Sequence, residues 1–83
     1  MRVKQKTVLK PEEALLKFIK KDWKLIVGDS IALKCFPADF KNESLFICSD
    51  PGSVQRELAS LKPAIMFEIR ERYKTRIRTI EIS

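Results

Sequence analysis

Residues 32–49 read ALKCFPADFKNESLFICS, two largely apolar runs on either side of the polar break Lys41-Asn42-Glu43-Ser44. Short apolar runs flanking turn-forming residues predict a hairpin, with strands from Ala32 to Phe40 and from Leu45 to Ser49. Pro37 has no amide hydrogen to give to a ladder, so it places the first strand at a sheet edge or at a bulge. Closing the hairpin symmetrically around the break pairs Phe40 with Leu45, Ala38 with Ile47 and Phe36 with Ser49. Alternation then assigns Phe36, Ala38, Phe40, Leu45 and Ile47 to the core face and Cys35, Pro37, Phe46 and Cys48 to the other. In this register the two cysteines share the outer face on a diagonal roughly 7–8 Å long. That is outside easy disulfide reach, and both are expected to be reduced.

Helical patterns lie on both sides of the hairpin. Upstream, Pro11 suits a first helical position and Glu12 and Glu13 favour the positive end of the dipole. Leu15, Leu16, Phe18, Ile19, Trp23, Ile26 and Val27 then recur at three- and four-residue spacing, with Lys17, Lys20, Lys21 and Lys24 off that face. The pattern predicts one helix up to Gly28, which is expected to serve as a left-handed cap leading into a turn at Asp29-Ser30. Downstream, Asp50-Pro51-Gly52-Ser53 is a turn whose Asp50 or Ser53 can cap a helix beginning there. The stripe Val54, Leu58, Leu61, Ile65, Ile69, Tyr73 predicts a second long helix, with a kink or break near Leu61-Lys62 because Pro63 lies inside it. A last strand holds Ile80 and Ile82 on one face and begins after Ile77. The order α-β-β-α-β defines an α+β fold in which two helices cover one face of a three-stranded sheet and leave the other uncovered.

The 83 residues suffice for one small domain, read as residues 11–83 behind a basic flexible arm at residues 1–10. Hydrophobic residues at 45% and charged ones at 34% belong to a soluble globular chain. No apolar run is long enough to cross a bilayer and no apolar signal core is present, so a cytoplasmic protein without membrane contact is expected. Lys and Arg outnumber Asp and Glu by 17 to 11, a balance that suits an acidic partner such as nucleic acid. Basic solubility alone accounts for the same excess. The distribution is uneven: residues 1–10 carry Arg2, Lys4, Lys6 and Lys10 without an acid, whereas residues 29–52 are acidic.

Enzyme chemistry finds little support. Gly28-Asp29-Ser30-Ile31 is spelled like the nucleophile block of a serine esterase family, but the chain has no histidine to take the hydroxyl proton. The same lack leaves Cys35 and Cys48 without an imidazole to lower a thiol pKa. A phosphate cradle at Gly28 needs a second nearby glycine, and the next is Gly52. With neither histidine nor a close cysteine pair, no metal and no cofactor are expected.

Three binding candidates remain. On the second helix Phe67 falls opposite the apolar stripe, near Arg56, Arg70 and Lys74, where an exposed ring can stack on a base while the cations meet phosphates. The plainer reading is that the Pro63 kink turns Phe67 into the core or that the arm covers it. The run Arg70, Arg72, Lys74, Arg76 and Arg78 is either a phosphate track or a solvated face. The outer sheet face, centred on Phe46, is a patch for a protein partner or a homodimer, or else a seat for Val8 and Leu9 of the arm. Lys4 and Lys6 of the arm and Lys20, Lys21 and Lys24 of the first helix complete the candidate phosphate contacts.

The ordered set Trp23, Val27-Gly28, Ile31-Ala32, Pro37, Phe40, Leu45-Phe46-Ile47, Asp50, Glu57-Leu58, Leu61-Lys62-Pro63, Ile77 and Ile80-Glu81-Ile82 resembles the DciA family from about Asp22 to the end. The chain departs from the family pattern at Lys34, where histidine is common, at Val54, where tryptophan is common, and at Glu43, where glycine is usual. The family's long flexible extension is represented only by the ten-residue arm. The resemblance implies a KH-like fold, though the chain lacks the Gly-x-x-Gly clamp of KH domains. It further implies a non-enzymatic factor that binds single- or double-stranded DNA and contacts the bacterial replicative helicase DnaB during its loading. An RNA-binding KH-like module and a protein-only dimerising adaptor are the alternatives.

Overall fold

The computed structural model describes residues 11–83; the arm, with Lys4 and Lys6, lies outside the described residues. Helices α1 (Pro11–Lys21), α2 (Trp23–Val27) and α3 (Asp29–Ala32) precede strands β1 (Cys35–Lys41) and β2 (Ser44–Ser49), then helix α4 (Ser53–Tyr73) and strand β3 (Thr79–Ile82). The fold is α+β with a mixed three-stranded sheet in which β2 is central, antiparallel to β1 and parallel to β3. One core cluster unites Ile19, Trp23 and Ile31 of the first helices with Cys35, Phe40, Leu45, Ile47 and Ile80 of the strands. Val54, Leu58, Ile65 and Ile69 of α4 join the same cluster.

The first helical pattern is interrupted where one helix was expected. Asp22, at φ −97° and ψ 12°, separates α1 from α2, although its amide still donates to the Phe18 carbonyl at 3.0 Å. Gly28 is not a left-handed cap. At φ 93° and ψ 156° it occupies a region essentially reserved for glycine, and the chain re-enters a helical turn at once instead of forming the expected turn at Asp29-Ser30. That turn, α3, buries Ile31 and takes up Ala32, so the first strand starts at Cys35, three residues later than expected.

In the hairpin, Phe40 pairs with Leu45 as the symmetric closure requires, and the remaining register is shifted. Ala38 is an extra residue between the pairs Asp39–Phe46 and Pro37–Ile47, so Phe36 pairs with Cys48 and Cys35 with Ser49. A bulge reverses parity beyond it. Cys35 and Pro37 therefore face the core and Phe36 is 57% exposed, the opposite of the sequence assignment. The two cysteines lie on opposite sheet faces rather than on one, and both are free thiols. Pro37 sits both in an edge strand and beside this bulge, the places where a sheet tolerates a residue without an amide hydrogen.

The two-residue turn Asn42-Glu43 has positive φ at both positions, 52° and 62°, the geometry that matches the right-handed twist of a hairpin. Glu43 thus stands in a left-handed conformation where the resembled family usually has glycine. Its carbonyl accepts from the Arg78 amide at 2.7 Å, which fastens the hairpin tip to the lead-in of β3.

Helix α4 runs unbroken through Pro63, so of the kink or break expected near Leu61-Lys62 the break does not occur. Leu58 before it and Ile65 after it are almost fully buried and hold both halves against the core. The N-terminus of α4 starts after Gly52, at φ 91°, and carries no side-chain cap from either Asp50 or Ser53.

A Cβ at Gly28 meets nothing within 4 Å, so Gly28→Ala isolates the backbone term. It is expected to destabilise the fold by about 1–3 kcal/mol, read as a lower urea midpoint at unchanged m. Pro63→Ala restores a helical hydrogen bond and relieves a ring clash. It is expected to raise the midpoint, with about 3 kcal/mol as the upper limit of the gain.

Candidate nucleic-acid interface

The expected cations fall into two groups. Lys20, Lys21 and Lys24 lie around the junction of α1 and α2, all exposed and without an ion pair among the described residues. Arg56, Phe67 and Arg70 lie along one face of α4, because offsets of three and eleven residues return to the same side of a helix, and Lys74 follows as its left-handed cap. Phe67 is 60% exposed, so the passage of α4 through Pro63 leaves the ring in solvent. Its neighbours toward the N-terminus, Pro63 and Ala64, are exposed as well.

The basic run at the end of the chain does not act as a row of equivalent charges. Arg72 forks onto the Glu68 carboxylate one turn back, an i,i+4 pair on the helix surface. Lys74 lies 4.0 Å from Glu71, and the Arg78 guanidinium lies 3.7 Å from Glu43 and within reach of the Asn42 carbonyl. Arg70 turns toward the Ile77 carbonyl at 3.3 Å, which anchors the segment between α4 and β3 while leaving its charge uncompensated by an acid. Arg76 is exposed and makes no ion pair among the described residues.

The outer sheet face is less plain than the sequence implies. Phe36 joins Phe46 and Cys48 there, while Cys35 and Pro37 leave it. Phe46 is half-buried, with the Lys41 ammonium 5.6 Å above its ring, and Lys41 in turn lies 4.0 Å from Asp39. The central ring is thus capped by a cation, and the exposed apolar surface moves to Phe36 and to Leu33, which is 81% exposed.

Two polar contacts inside the helical layer were not legible in the sequence. The Trp23 indole donates to the Cys35 carbonyl at 3.2 Å, and the Cys35 thiol donates to the Ile31 carbonyl at 3.2 Å, so α2, α3 and β1 meet at one buried residue. Burial pushes the Cys35 thiol up from its ordinary value, Asp50 adds to the rise, and the Trp23 hydrogen bond opposes it. The second contact is at Tyr73. Its hydroxyl oxygen lies 2.9 Å from Asp22 Oδ2 and 3.1 Å from the Phe18 carbonyl, both acceptors for its proton, at the point where α1 is interrupted. Burial first, and then the Asp22 carboxylate, raises this phenol well above its usual range. The only sequence signal for this contact is Asp22 itself, a single acid amid four lysines.

The family model described as Dna[CI] antecedent, DciA, matches residues 2–82. The chain belongs to the DciA family. That match extends well upstream of Asp22, where the resemblance in the sequence begins, and family membership carries a role in loading the replicative helicase. A search among curated proteins returns no match. Among the described residues, no helix of this DciA-family chain is long and apolar enough to cross a membrane.

The different settings of the two thiols are directly measurable. Cys48, half-buried on the outer face, is expected to react with a maleimide or an aromatic disulfide in the native state. Cys35, protonated and enclosed, is expected to react only on unfolding.

Proposed function

We propose that this chain is a non-enzymatic DNA-binding adaptor that contacts the replicative helicase DnaB and assists its loading. Its domain is read as KH-like, residues 11–83, with both long helices on one sheet face and residues 1–10 as a basic arm. The observation that carries the reading is the set of exposed cations without acidic partners among the described residues, Lys20, Lys21 and Lys24 on one side and Arg56, Arg70 and Arg76 on the other, in a DciA-family chain. Binding by such a set is electrostatic: each phosphate neutralised releases condensed counterions. Arg72, Lys74 and Arg78 contribute less, since Glu68, Glu71 and Glu43 already stand beside them. Lys4 and Lys6 add phosphate contacts from the arm. The Phe36–Phe46 face supports partner docking, since its apolar surface is free of the cations that serve DNA. A second copy of the chain on that face would appear as a dimer in sedimentation.

Anisotropy titrations of labelled DNA at several salt concentrations test the mechanism. Replacing Lys20, Lys21 and Lys24 together by Ala is expected to lower the slope of log affinity against log salt by about 0.7 to 0.9 per lost contact. Arg72→Ala is expected to change it much less. Affinity that is insensitive to salt would remove the mechanism, and markedly tighter binding of RNA of equal length would move the reading to an RNA-binding module. Capture of the replicative helicase by the immobilised chain tests the partner directly.

A further inference from the structure

Between α1 and the C-terminal end of α4 lies a cleft of about 330 Å³ lined by Ala14, Leu15, Phe18, Tyr73, Lys74 and Thr75. Its aromatic wall is already assembled. The Phe18 and Tyr73 rings stack with centroids 6.4 Å apart and planes 25° apart, and Phe18 keeps 54% of its surface in solvent. The Tyr73 ring is fixed by its hydroxyl bonds to Asp22 and to the Phe18 carbonyl, so the stack is held before any ligand arrives. A pre-ordered aromatic wall avoids the ordering cost that a mobile side chain incurs on binding.

The rim is cationic. Lys74 lines the cleft, and Lys17 and Lys21 follow Ala14 and Phe18 at three-residue spacing, which makes them neighbours on the α1 surface. Of the acids beside Tyr73 and Lys74, Asp22 is engaged by the Tyr73 hydroxyl, and Glu71 holds Lys74 only at 4.0 Å, in an exposed pair that a phosphate can displace; Glu13 precedes Ala14 on α1. A small apolar slot with a stacked aromatic wall and lysines at its mouth matches a planar base carrying a phosphate. It matches an apolar peptide side chain less well, because the Lys74 ammonium that lines it and the exposed Lys17 and Lys21 beside Ala14 and Phe18 on α1 would have no counterpart.

We infer that this cleft is a nucleobase site: a base of single-stranded DNA stacks against Phe18 over Tyr73, while Lys17, Lys21 and Lys74 meet the flanking phosphates. The assignment rests on the DNA-binding reading above and adds strand type and place to it. Duplex DNA keeps its bases stacked internally, so only a single strand can supply one to the cleft.

The experiment compares a short oligothymidylate with an abasic oligomer of the same length and charge, both labelled, at one salt concentration. The intact chain is expected to bind the thymidylate about tenfold more tightly, the scale of one base stacked on an aromatic. Phe18→Ala is expected to abolish most of this preference while leaving the abasic affinity and its salt slope unchanged; Phe18→Tyr is expected to retain it. Ala14→Phe, which fills the cleft without removing the stack, is expected to abolish the preference too, and circular dichroism checks that each variant is folded. Equal affinity for the two oligomers, or a preference that survives both Phe18→Ala and Ala14→Phe, would overturn the base site and leave the phosphate-driven reading standing. Loss of helicase capture in Phe18→Ala with the base preference intact would also overturn it, by making the cleft a protein-docking site. Failure of both oligomers to bind at low salt would remove the DNA-binding reading together with the cleft assignment.

Discussion

The parallel pairing of β2 with β3 is the constraint on which the rest of the structure depends. An antiparallel neighbour is reached by a two-residue turn, as at Asn42-Glu43, but a parallel one requires the chain to return to the starting end of the sheet. Helix α4 is that return path, and its 21 residues span roughly 31 Å. Because Leu45 and Ile47 of β2 and Ile80 of β3 share a core with Val54, Leu58, Ile65 and Ile69, the crossover is held along its whole length. This explains why a proline is tolerated inside it. The loss of one helical hydrogen bond at Pro63 is small beside the burial of an apolar residue in each turn around it.

The same crossover decides what the surface cations do. One face of α4 is buried in the core, so Arg56, Phe67 and Arg70 are left on the other, and the helix ends beside α1. There a left-handed Lys74, at φ 53°, turns the chain away, and the segment to β3 is tied down by Arg70 on the Ile77 carbonyl and by the Arg78 amide on Glu43. The terminal run of basic residues is therefore partly structural. The charge without acidic partners is concentrated at the α1–α2 junction and at Arg56, Arg70 and Arg76, and the aromatic pair Phe18–Tyr73 joins α1 to the end of α4.

Periodicity showed the α4 stripe from Val54 to Tyr73, the pairing of Phe40 with Leu45 and the inward face of Ile80, and it put Phe67 opposite the stripe while leaving open whether the ring is exposed. It did not show the parity of Cys35, Phe36 and Pro37, because one inserted residue at Ala38 inverts every side chain beyond it. Alternation within a short strand contains no mark of such an insertion; Pro37 limited it to this neighbourhood only. Nor did it show that Gly28 would lead into a further helical turn, since a lone glycine after an apolar helix is compatible with several exits. Phe18 belongs to the apolar face by spacing and is nonetheless exposed, stacked on Tyr73 instead of buried in the core.

What the sequence determined by itself was local or compositional: the order of the long helices and strands, the surplus of cations, the lack of a histidine for acid–base chemistry, and the ordered residues that mark the DciA family. Only the tertiary structure decided which cations are already paired, which of the two cysteines is enclosed, and that Phe18, Asp22 and Tyr73 meet. The physical reason is distance along the chain. Backbone propensity and side-chain periodicity act over a few residues, whereas Asp22 and Tyr73 lie 51 residues apart and Glu43 and Arg78 come together only through the β2–β3 pairing.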